Sequence, residues 1–420
     1  MAIKGSGSPM EAVDEYFDML IKSRFIEMFG NPIANRFCWP IGKMKAVAPA
    51  VQFSQEPMQE GNWLLNLDAI QSNSGYILFK NEVSKDELTG SIMSFGTGNV
   101  LYSKLRPYLN KVVVPNEPGY GTTELIPLLP NPELLNQTYF ACLLRSDPFV
   151  NKFSSAVAGT KMPRVSMDTF WKFDVPLPPI DLQNEFASFV KQVDKSRAIC
   201  KQIFQSLDNL VKSRFIEMFN PFLKDTKYLS DVAIFLRNGA NIKQEKSAKG
   251  YPITRIETLA NGVFNIDRLG YADIFNLDKY EGYILQPGDL LISHINSGIY
   301  VGKTVQYHGE NAPIIHGMNL LCLRLNDECS PTFFEYYMKT NDARAYIKTI
   351  TKQSVNQASF SVSDLKKMPI PIPPKDVQHS FELFLKQVDK SKFEVVQSLL
   401  RLKSKYMHTE TPSERTDCDL

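Results

Sequence analysis

Two long stretches of this chain carry apolar residues at helical spacing. After "PLPPIDLQNEF" (from Pro176), Phe186, Phe189, Val193, Cys200, Ile203, Leu207 and Leu210 recur at steps of three, four or their sum. After "PIPPKDVQHSF" (from Pro371), Phe381, Phe384, Val388, Val395 and Leu402 do the same, with Leu399 beside them. Such a stripe suits a long helix packed along another long helix. The first helix is expected over 181–219, roughly 58 Å at 1.5 Å per residue. Both stretches follow Pro-x-Pro-Pro, which is expected to continue neither strand nor helix. Asp181 and Asp376 are placed to cap the helix starts. Neither helix contains Gly or Pro.

The stretches are repeats. "FVKQVDKSR" in the first answers to "FLKQVDKSK" 195 positions later, and "KSRFIEMF" occurs at Lys22 and again at Lys212. Eight consecutive identities point to duplication, because core packing alone tolerates many apolar sequences. The second copy ends the central helix, where Asn220-Pro221 stops it; the first, over 10–29, reads as a shortened copy stopped by Asn31-Pro32. The expected organisation is an N-terminal partial helix (10–32), a globular region (33–175), a central helix (176–221), a second globular region (222–370) and a C-terminal helix (371–407). Residues 1–9, with "GSGSP", read as a linker or tag, and the polar tail 408–420 as disordered. The N-terminal piece supplies what the C-terminal helix lacks, which implies a cyclic, pseudo-two-fold arrangement with neighbouring chain ends. The fold class is α+β: two globular domains separated by two long antiparallel helices acting as a coiled-coil spacer.

Each globular region has about 145 residues, one domain's worth. "NVLYSKLRPYLNKVVVP" (from Asn99) reads as two strands joined by a Pro-containing turn. "GYILQPGDLLISHINSGIYVGKTVQYH" (from Gly282) reads as a turn at Pro287-Gly288, a strand, a Ser-Gly loop and another strand. The two regions share this plan but little sequence, whereas the helices stayed alike.

At 420 residues, with 43% hydrophobic and 22% charged residues, the chain has the composition of a soluble globular protein of two or three domains. Its net charge of +2 gives no support for a strongly basic nucleic-acid binder, although a neutral total can hide a basic face. The six cysteines lack CxxC spacing, so a zinc site is not expected, and scattered thiols fit a cytoplasmic location. No apolar run is long enough for a membrane span.

These features together resemble the specificity (S) subunit of type I restriction–modification systems. The resemblance rests on "PLPPIDLQNEF" and "PIPPKDVQHSF", on "LYSKLRPYLNKV" with the later "TTE" (Thr122 to Glu124), on "AGTKMPRVSMDTFWKFDVPLPP", and on "PGDLLISHINSGIYVGK". It extends over residues 10–407. It implies that each globular region is a target recognition domain reading one half of a bipartite double-stranded DNA target. The helices would set the gap between halves and dock two methyltransferase subunits, which modify adenine using S-adenosylmethionine. Restriction subunits, where present, would cleave DNA using ATP and Mg. This chain itself would hold no cofactor and catalyse nothing.

The residues agree with a non-catalytic chain. Asn31-Pro32-Ile33-Ala34 and Asn220-Pro221-Phe222-Leu223 lack the second proline of an amino-methyltransferase motif. "FGTGNV" (from Phe95) is a lone Gly pattern better read as a turn, and no GxxxxGK[ST] phosphate loop occurs. His294 and His316 read as loop or packing residues rather than catalysts, and no metal site is expected. Phosphate contacts supply most DNA affinity and base-edge contacts most specificity. On that basis Lys104, Arg106, Tyr108 and Lys111 are candidate contacts in the first region, with Thr160, Lys161 and Arg164 in a loop before the first long helix. In the second region the candidates are His294, Asn296, Ser297, Tyr300 and Lys303, with Gln353, Asn356 and Gln357 from "TKQSVNQASFS"; Asn and Gln pair well with adenine edges. A coiled-coil scaffold whose heads bind protein is the alternative, and a catalytic methyltransferase the least supported reading.

Overall fold

The computed structural model describes residues 9–54, 58–88, 91–155, 163–245, 248–297, 300–309, 313–353 and 357–406. Residues 1–8, the tail from 407, Thr160, Lys161 and Asn356 lie outside the described residues. The chain divides into two units, one of residues 13–199 with 399–420, the other of 200–398 with 1–12. The boundary falls within a single helix, so the long central helix serves both units.

The first unit contains helix α1 (Pro9–Phe29) from Val13 onward, then strands β1 (Ile41–Lys43), β2 (Asn62–Leu65), β3 (Asn81–Val83), β4 (Ile92–Phe95), β5 (Val100–Ser103), β6 (Val112–Val113), β7 (Gly119–Thr122) and β8 (Leu125–Leu128). Helices α2 (Gln137–Arg145), α3 (Asp147–Ser155) and α4 (Met167–Trp171), strand β9 (Asp174–Pro176) and the first half of α5 (Ile180–Phe219) complete it. Its strands form a four-stranded sheet, β3-β2-β7-β4, a three-stranded sheet, β6-β5-β8, and the pair β1-β9. The second unit holds the rest of α5, then β10 (Thr226–Tyr228), β11 (Ala233–Asn238), β12 (Leu290–Ile292), β13 (Ile295–Asn296), β14 (Thr304–Gln306) and β15 (Leu321–Leu325). There follow α6 (Pro331–Tyr337), α7 (Asn341–Ile350), β16 (Lys352–Gln353), β17 (Ala358–Ser359), α8 (Val362–Lys366), β18 (Pro369–Pro371) and α9 (Lys375–Tyr406). Its sheets are β11-β15-β12-β14, β13-β17-β16 and β10-β18. The fold is α+β, as the sequence predicts.

The repeated block "SRFIEMF" plays one part in both units. Phe25, Met28 and Phe29 are buried on α1, and Phe215 and Phe219 on α5. In the first unit Phe25 and Phe29 meet Phe186 at ring distances of 5.6 and 5.4 Å, and Tyr139 at 5.6 and 4.6 Å. In the second, Phe215 and Phe219 meet Phe381 at 5.3 and 5.4 Å, and Phe333 at 5.7 and 4.7 Å. The two aromatic clusters are superposable in their pairing: α1 does for the first unit what the end of α5 does for the second.

A buried glutamine locks each cluster to its domain. Gln183 is fully buried; its Oε1 accepts the Asn136 backbone N–H at 2.8 Å, and its Nε2 donates to the carbonyls of Leu134 and Pro178. Gln378 repeats this with the N–H of Ser330 and the carbonyls of Glu328 and Pro373. Asn136 and Ser330 in turn cap α2 and α6. One amide thereby ties the start of a long helix to the start of a domain helix and satisfies three backbone groups, one buried and two half-buried.

The seam between helices departs from the expected stripe. Phe186, Val193 and Cys200 are buried as predicted, but Ile203 and Leu210 are 38% and 50% exposed, and Val190, Phe204 and Val211 are buried instead. The missing member of this second row is Arg197, 6% exposed. Its guanidinium reaches Asp18 of α1 at 2.7 Å and Asp14 at 3.8 Å, and it lies over the rings of Phe17 and Tyr76. In the second unit Lys392 of α9 holds the equivalent place and pairs with Asp208 of α5 at 2.6 Å. Phe25 meeting Phe186 while Asp18 meets Arg197 makes the helices antiparallel, and Phe215 with Phe381 and Asp208 with Lys392 give the same direction.

Two further expectations are corrected. The first proline of each Pro-x-Pro-Pro does continue a strand: Pro176 pairs with Ile41 and Pro371 with Thr226 in matching two-stranded ladders. A two-stranded ladder is all edge, and there a missing N–H costs little. Asp181 and Asp376 lie inside the first turn of α5 and α9, where a carboxylate complements the helix dipole, and not at the caps.

Candidate nucleic-acid interface

In the first unit, β5 and β6 pair through Leu101 with Val113 and Tyr102 with Val112. The connection between them is a tight 3-10 turn, Pro107–Leu109, flanked by two left-handed residues, Arg106 (φ +51°) and Asn110 (φ +49°). Asn adopts this region readily, and its Nδ2 is anchored on the Arg145 carbonyl. A left-handed Arg is costly by about 1 kcal/mol or more and persists only where neighbours impose it. Here the Arg106 N–H donates to the Pro163 carbonyl at 2.8 Å, and its own carbonyl accepts from Leu109. The segment 163–165 lies alongside: Leu105 bridges to Arg164, and the Val165 N–H donates to the Lys104 carbonyl. Two candidate stretches about 60 residues apart in sequence are thus brought into one ladder.

The side chains there differ in freedom. Arg106 is exposed, Tyr108 is 54% exposed and Lys104 half-buried, and neither cation has an ion-pair partner among the described residues. Arg164 is held by Glu124 through two bonds, of 2.7 and 3.2 Å, which lowers the Glu124 carboxyl below its usual range. Glu124 is the acid of the "TTE" stretch. Lys111 is turned inward: its ammonium donates to the Leu67 carbonyl at 2.5 Å, and burial lowers its pKa. It therefore supports the loop instead of presenting a charge.

The second unit uses the same frame with other residues. The Phe360 N–H donates to the His294 carbonyl, as Val165 does to Lys104, and β13 pairs with β17 through Ile295 with Ser359 and Asn296 with Ala358. The loop before the helix meets the loop after the strand in both copies. The His294 side chain corrects its assignment as a surface contact: it is 6% exposed, packs on Phe360, and burial lowers its pKa. Ser297 is exposed, and Tyr300 is 40% exposed with the Lys303 ammonium 4.2 Å over its ring. Gln353 and Gln357 are exposed at the β16–β17 turn. Asn296, Tyr300 and Lys303 share a cleft of about 280 Å³ with Arg268. Arg268 is exposed, has no ion-pair partner among the described residues, and lies at the end of a 3-10 segment, Ile266–Arg268, that the repeat pattern does not single out.

His316 is buried at 1% exposure with Nε2 2.9 Å from the Leu320 carbonyl, and burial pushes its pKa down to about 4. Between pH 6.5 and 4 the unfolded chain takes up a proton that the folded chain refuses, so stability falls as pH falls, by roughly 3 kcal/mol over the window. His316→Gln keeps a donor for Leu320 and should flatten that acid limb in urea titrations at pH 7 and 4.5. An unchanged slope would remove His316 as its source.

Among the described residues no group of His, Cys, Asp and Glu is arranged to hold a metal ion, and no helix is long and apolar enough to cross a membrane.

Comparison with known proteins places this frame in a family. The pattern defining the type I restriction modification DNA specificity domain matches twice, at residues 57–209 and 224–401, one copy per repeat. The chain belongs to that family. It is 37% identical over 166 residues to a putative type I restriction enzyme MjaX specificity subunit of Methanocaldococcus jannaschii, covering 39% of each chain. It is 25% identical over 265 residues to the type I restriction enzyme EcoKI specificity subunit of Escherichia coli K12, covering 58% of this chain and 56% of that one. The matches thus span between about two fifths and rather more than half of these relatives. Among solved structures, an HsdS subunit from Thermoanaerobacter tengcongensis is 19% identical over 87% of this chain and 91% of its own, with a TM-score of 0.34. A type I S subunit from M. genitalium is 14% identical, covering 90% and 96%, with a TM-score of 0.40.

Proposed function

We propose that this chain is a non-catalytic DNA-specificity subunit, each globular domain reading one half of a bipartite duplex target. In the first domain Arg106, Lys104, Tyr108 and Arg164 contact DNA, with Thr160 and Lys161 from the same loop. In the second, Asn296, Ser297, Tyr300, Lys303, Gln353, Asn356 and Gln357 do so, joined by Arg268. The helix pairs dock two methyltransferase subunits, which bring S-adenosylmethionine and modify adenine; restriction subunits, where the assembly includes them, bring ATP and Mg.

The observation that carries this reading is an identity on the surface, not in the core. In "KSRFIEMF" only the phenylalanines and the methionine face inward, yet Ile26 and Ile216 (45% and 62% exposed) and Glu27 and Glu217 (both exposed) are also identical. Packing within the chain does not require an exposed isoleucine. Two copies of one partner, each gripping the same face, do. The candidate loops diverge instead, Arg106 to Asn296 for example, as two readers of different half-sites would.

The test is adenine methylation mapping in cells carrying this chain with a cognate methyltransferase, against cells lacking the chain. A split motif methylated only in its presence is expected. Replacing residues 33–175 by the corresponding region of a relative should change one half of the motif and leave the other untouched. A soluble complex with no methylation difference and no salt-dependent DNA binding would favour the protein-binding scaffold.

A further inference from the structure

The first domain is held on the central helix at two separate places. The aromatic cluster and the Gln183 amide hold it near Phe186. Arg197 lies about 16 Å further along α5, at 1.5 Å per residue, and there Tyr76 holds the domain again. Arg197 Nη1 donates to the Tyr76 hydroxyl, which donates in turn to the Asp194 carboxylate at 3.2 Å, and the guanidinium lies 5.2 Å over the ring. Burial, with Asp194 and Asp18 nearby and against the pull of Arg197, raises the hydroxyl pKa, so the hydroxyl stays a donor. The ring is 40% exposed, so it plugs no core void. In the second unit the equivalent pair, Lys392 with Asp208, joins two helices, and no residue of the domain bonds to Lys392 among the described residues.

Tyr76 ends a turn that is wedged against the candidate reading hairpin. Ile70 bridges to Ile77, and the Gln71 N–H donates to the Tyr76 carbonyl at 2.9 Å. Within the turn the Asn73 N–H donates at 3.1 Å to the carbonyl of Asn110, the left-handed residue that closes the turn begun by Arg106. Gly75 (φ +71°) has no room for a side chain: a Cβ would fall 1.8 Å from the Val112 carbonyl oxygen and 2.4 Å from the Arg145 guanidinium, which itself bonds Val112 at 2.7 and 3.1 Å. The Arg106 turn is thus tied through Asn110, the 71–76 turn and Tyr76 to Arg197. A domain held at one place can rock about it, and a second hold at a distance stops the rocking. Successive base pairs are about 3.4 Å apart, so a hairpin that rocks by that much accepts a target whose halves stand one pair nearer or farther. We propose that Tyr76 is a positioning residue: its clasp on Arg197 fixes the first reading hairpin on the central helix and so makes the protein strict about the gap between half-sites. The proposal rests on the DNA-reading role above. A target of the wrong gap can be fitted by breaking the clasp, so the strength of the clasp is the discrimination it supplies. A hydrogen bond to a charged group is worth about tenfold or more.

The test is adenine methylation mapping with the full chain and a cognate methyltransferase, scoring sites that carry both half-motifs at each gap length. Wild type should favour one gap. Tyr76→Ala should keep both half-motifs and raise methylation at gaps one pair shorter or longer by about tenfold relative to the favoured gap. Tyr76→Phe keeps the ring under the guanidinium but loses the hydroxyl, and should fall between. An unchanged gap preference in Tyr76→Ala overturns the proposal. So does loss of the first half-motif, or a uniform fall in methylation, either of which marks a merely structural role. Hydrogen exchange on the same proteins needs no DNA: amides of residues 106–113 should exchange faster in Tyr76→Ala, with those of β11 and β15 unchanged. Unaltered exchange at 106–113 overturns the clasp itself. A wild type that yields no split motif, with exchange responding as expected, overturns the reading role and the gap assignment while the clasp stands. Where Tyr76→Ala fails to fold, Tyr76→Phe decides by the same readings.

Discussion

Phe219→Ala is expected to destabilise the second unit by about 3–5 kcal/mol, while Ile216→Ala, one turn earlier on the same helix, changes stability by no more than about 0.5 kcal/mol. Phe219 is 1% exposed and touches Phe215, Phe333 and Phe381, the residues that join α5, α6 and α9. Truncating it removes the transfer energy of a whole ring and leaves a cavity that three helices cannot all close. Phe29→Ala should cost a similar amount in the first unit, because Phe29 meets Phe25, Tyr139 and Phe186 in the same way. Chemical denaturation, with hydrogen exchange to localise the loss to one unit, measures both. Equal effects of Phe219→Ala and Ile216→Ala would show that the block is not a packing element.

Gln378→Leu should cost roughly 3 kcal/mol or more, although the substitution replaces a polar group by an apolar one of similar size. The leucine leaves the buried Pro373 carbonyl and the half-buried Ser330 N–H and Glu328 carbonyl without their partner, at about 1–3 kcal/mol for a buried orphan and less for the other two. Gln378→Glu is a sharper probe. A carboxylate accepts from Ser330 but faces two carbonyl oxygens, so the folded state favours the protonated acid and raises its pKa. Stability of that variant should then be best at low pH and fall as pH rises through the raised pKa, a limb the wild-type glutamine lacks. Thermal unfolding at pH 5 and pH 8 distinguishes them; a pH-independent Gln378→Glu would mean the amide is not clamped between donor and acceptors.

The duplication, both long helices and the strand-turn-strand hairpins were legible because each leaves a local trace: repeated letters, a helical period, a Pro-Gly turn. The seam was read one row wrong because Arg197 and Lys392 sit where an apolar residue is expected, and their acid partners come from other helices. Gln183 and Gln378 were invisible for a related reason. A buried amide is told from a surface one only by the carbonyls around it, which come from segments about 50 residues away. The candidate interface was half legible. The equivalence of "AGTKMPRVS" and "TKQSVNQASFS" follows from their distance to the helices. Which side chains turn outward does not: Lys111 and His294 look like surface residues in sequence and are drawn inward by Leu67 and Phe360.

A chain that offers the same adhesive face twice must also avoid gluing itself together wrongly. While it folds, α1 and the end of α5 present nearly interchangeable phenylalanines to two nearly interchangeable partners, and repeat proteins commonly fail by this kind of mispairing or by exchange between chains. The differences between the units act as a key against that error. Arg197 takes two aspartates and a tyrosine, whereas Lys392 takes one aspartate, and Asp14 has Phe204 as its counterpart. A swapped α5 end would set the Phe204 ring, in place of Asp14, against the Arg197 guanidinium. The charges in the seam thus serve as proofreading marks: they add little to adhesion and tell each helix which of two look-alike cradles is its own.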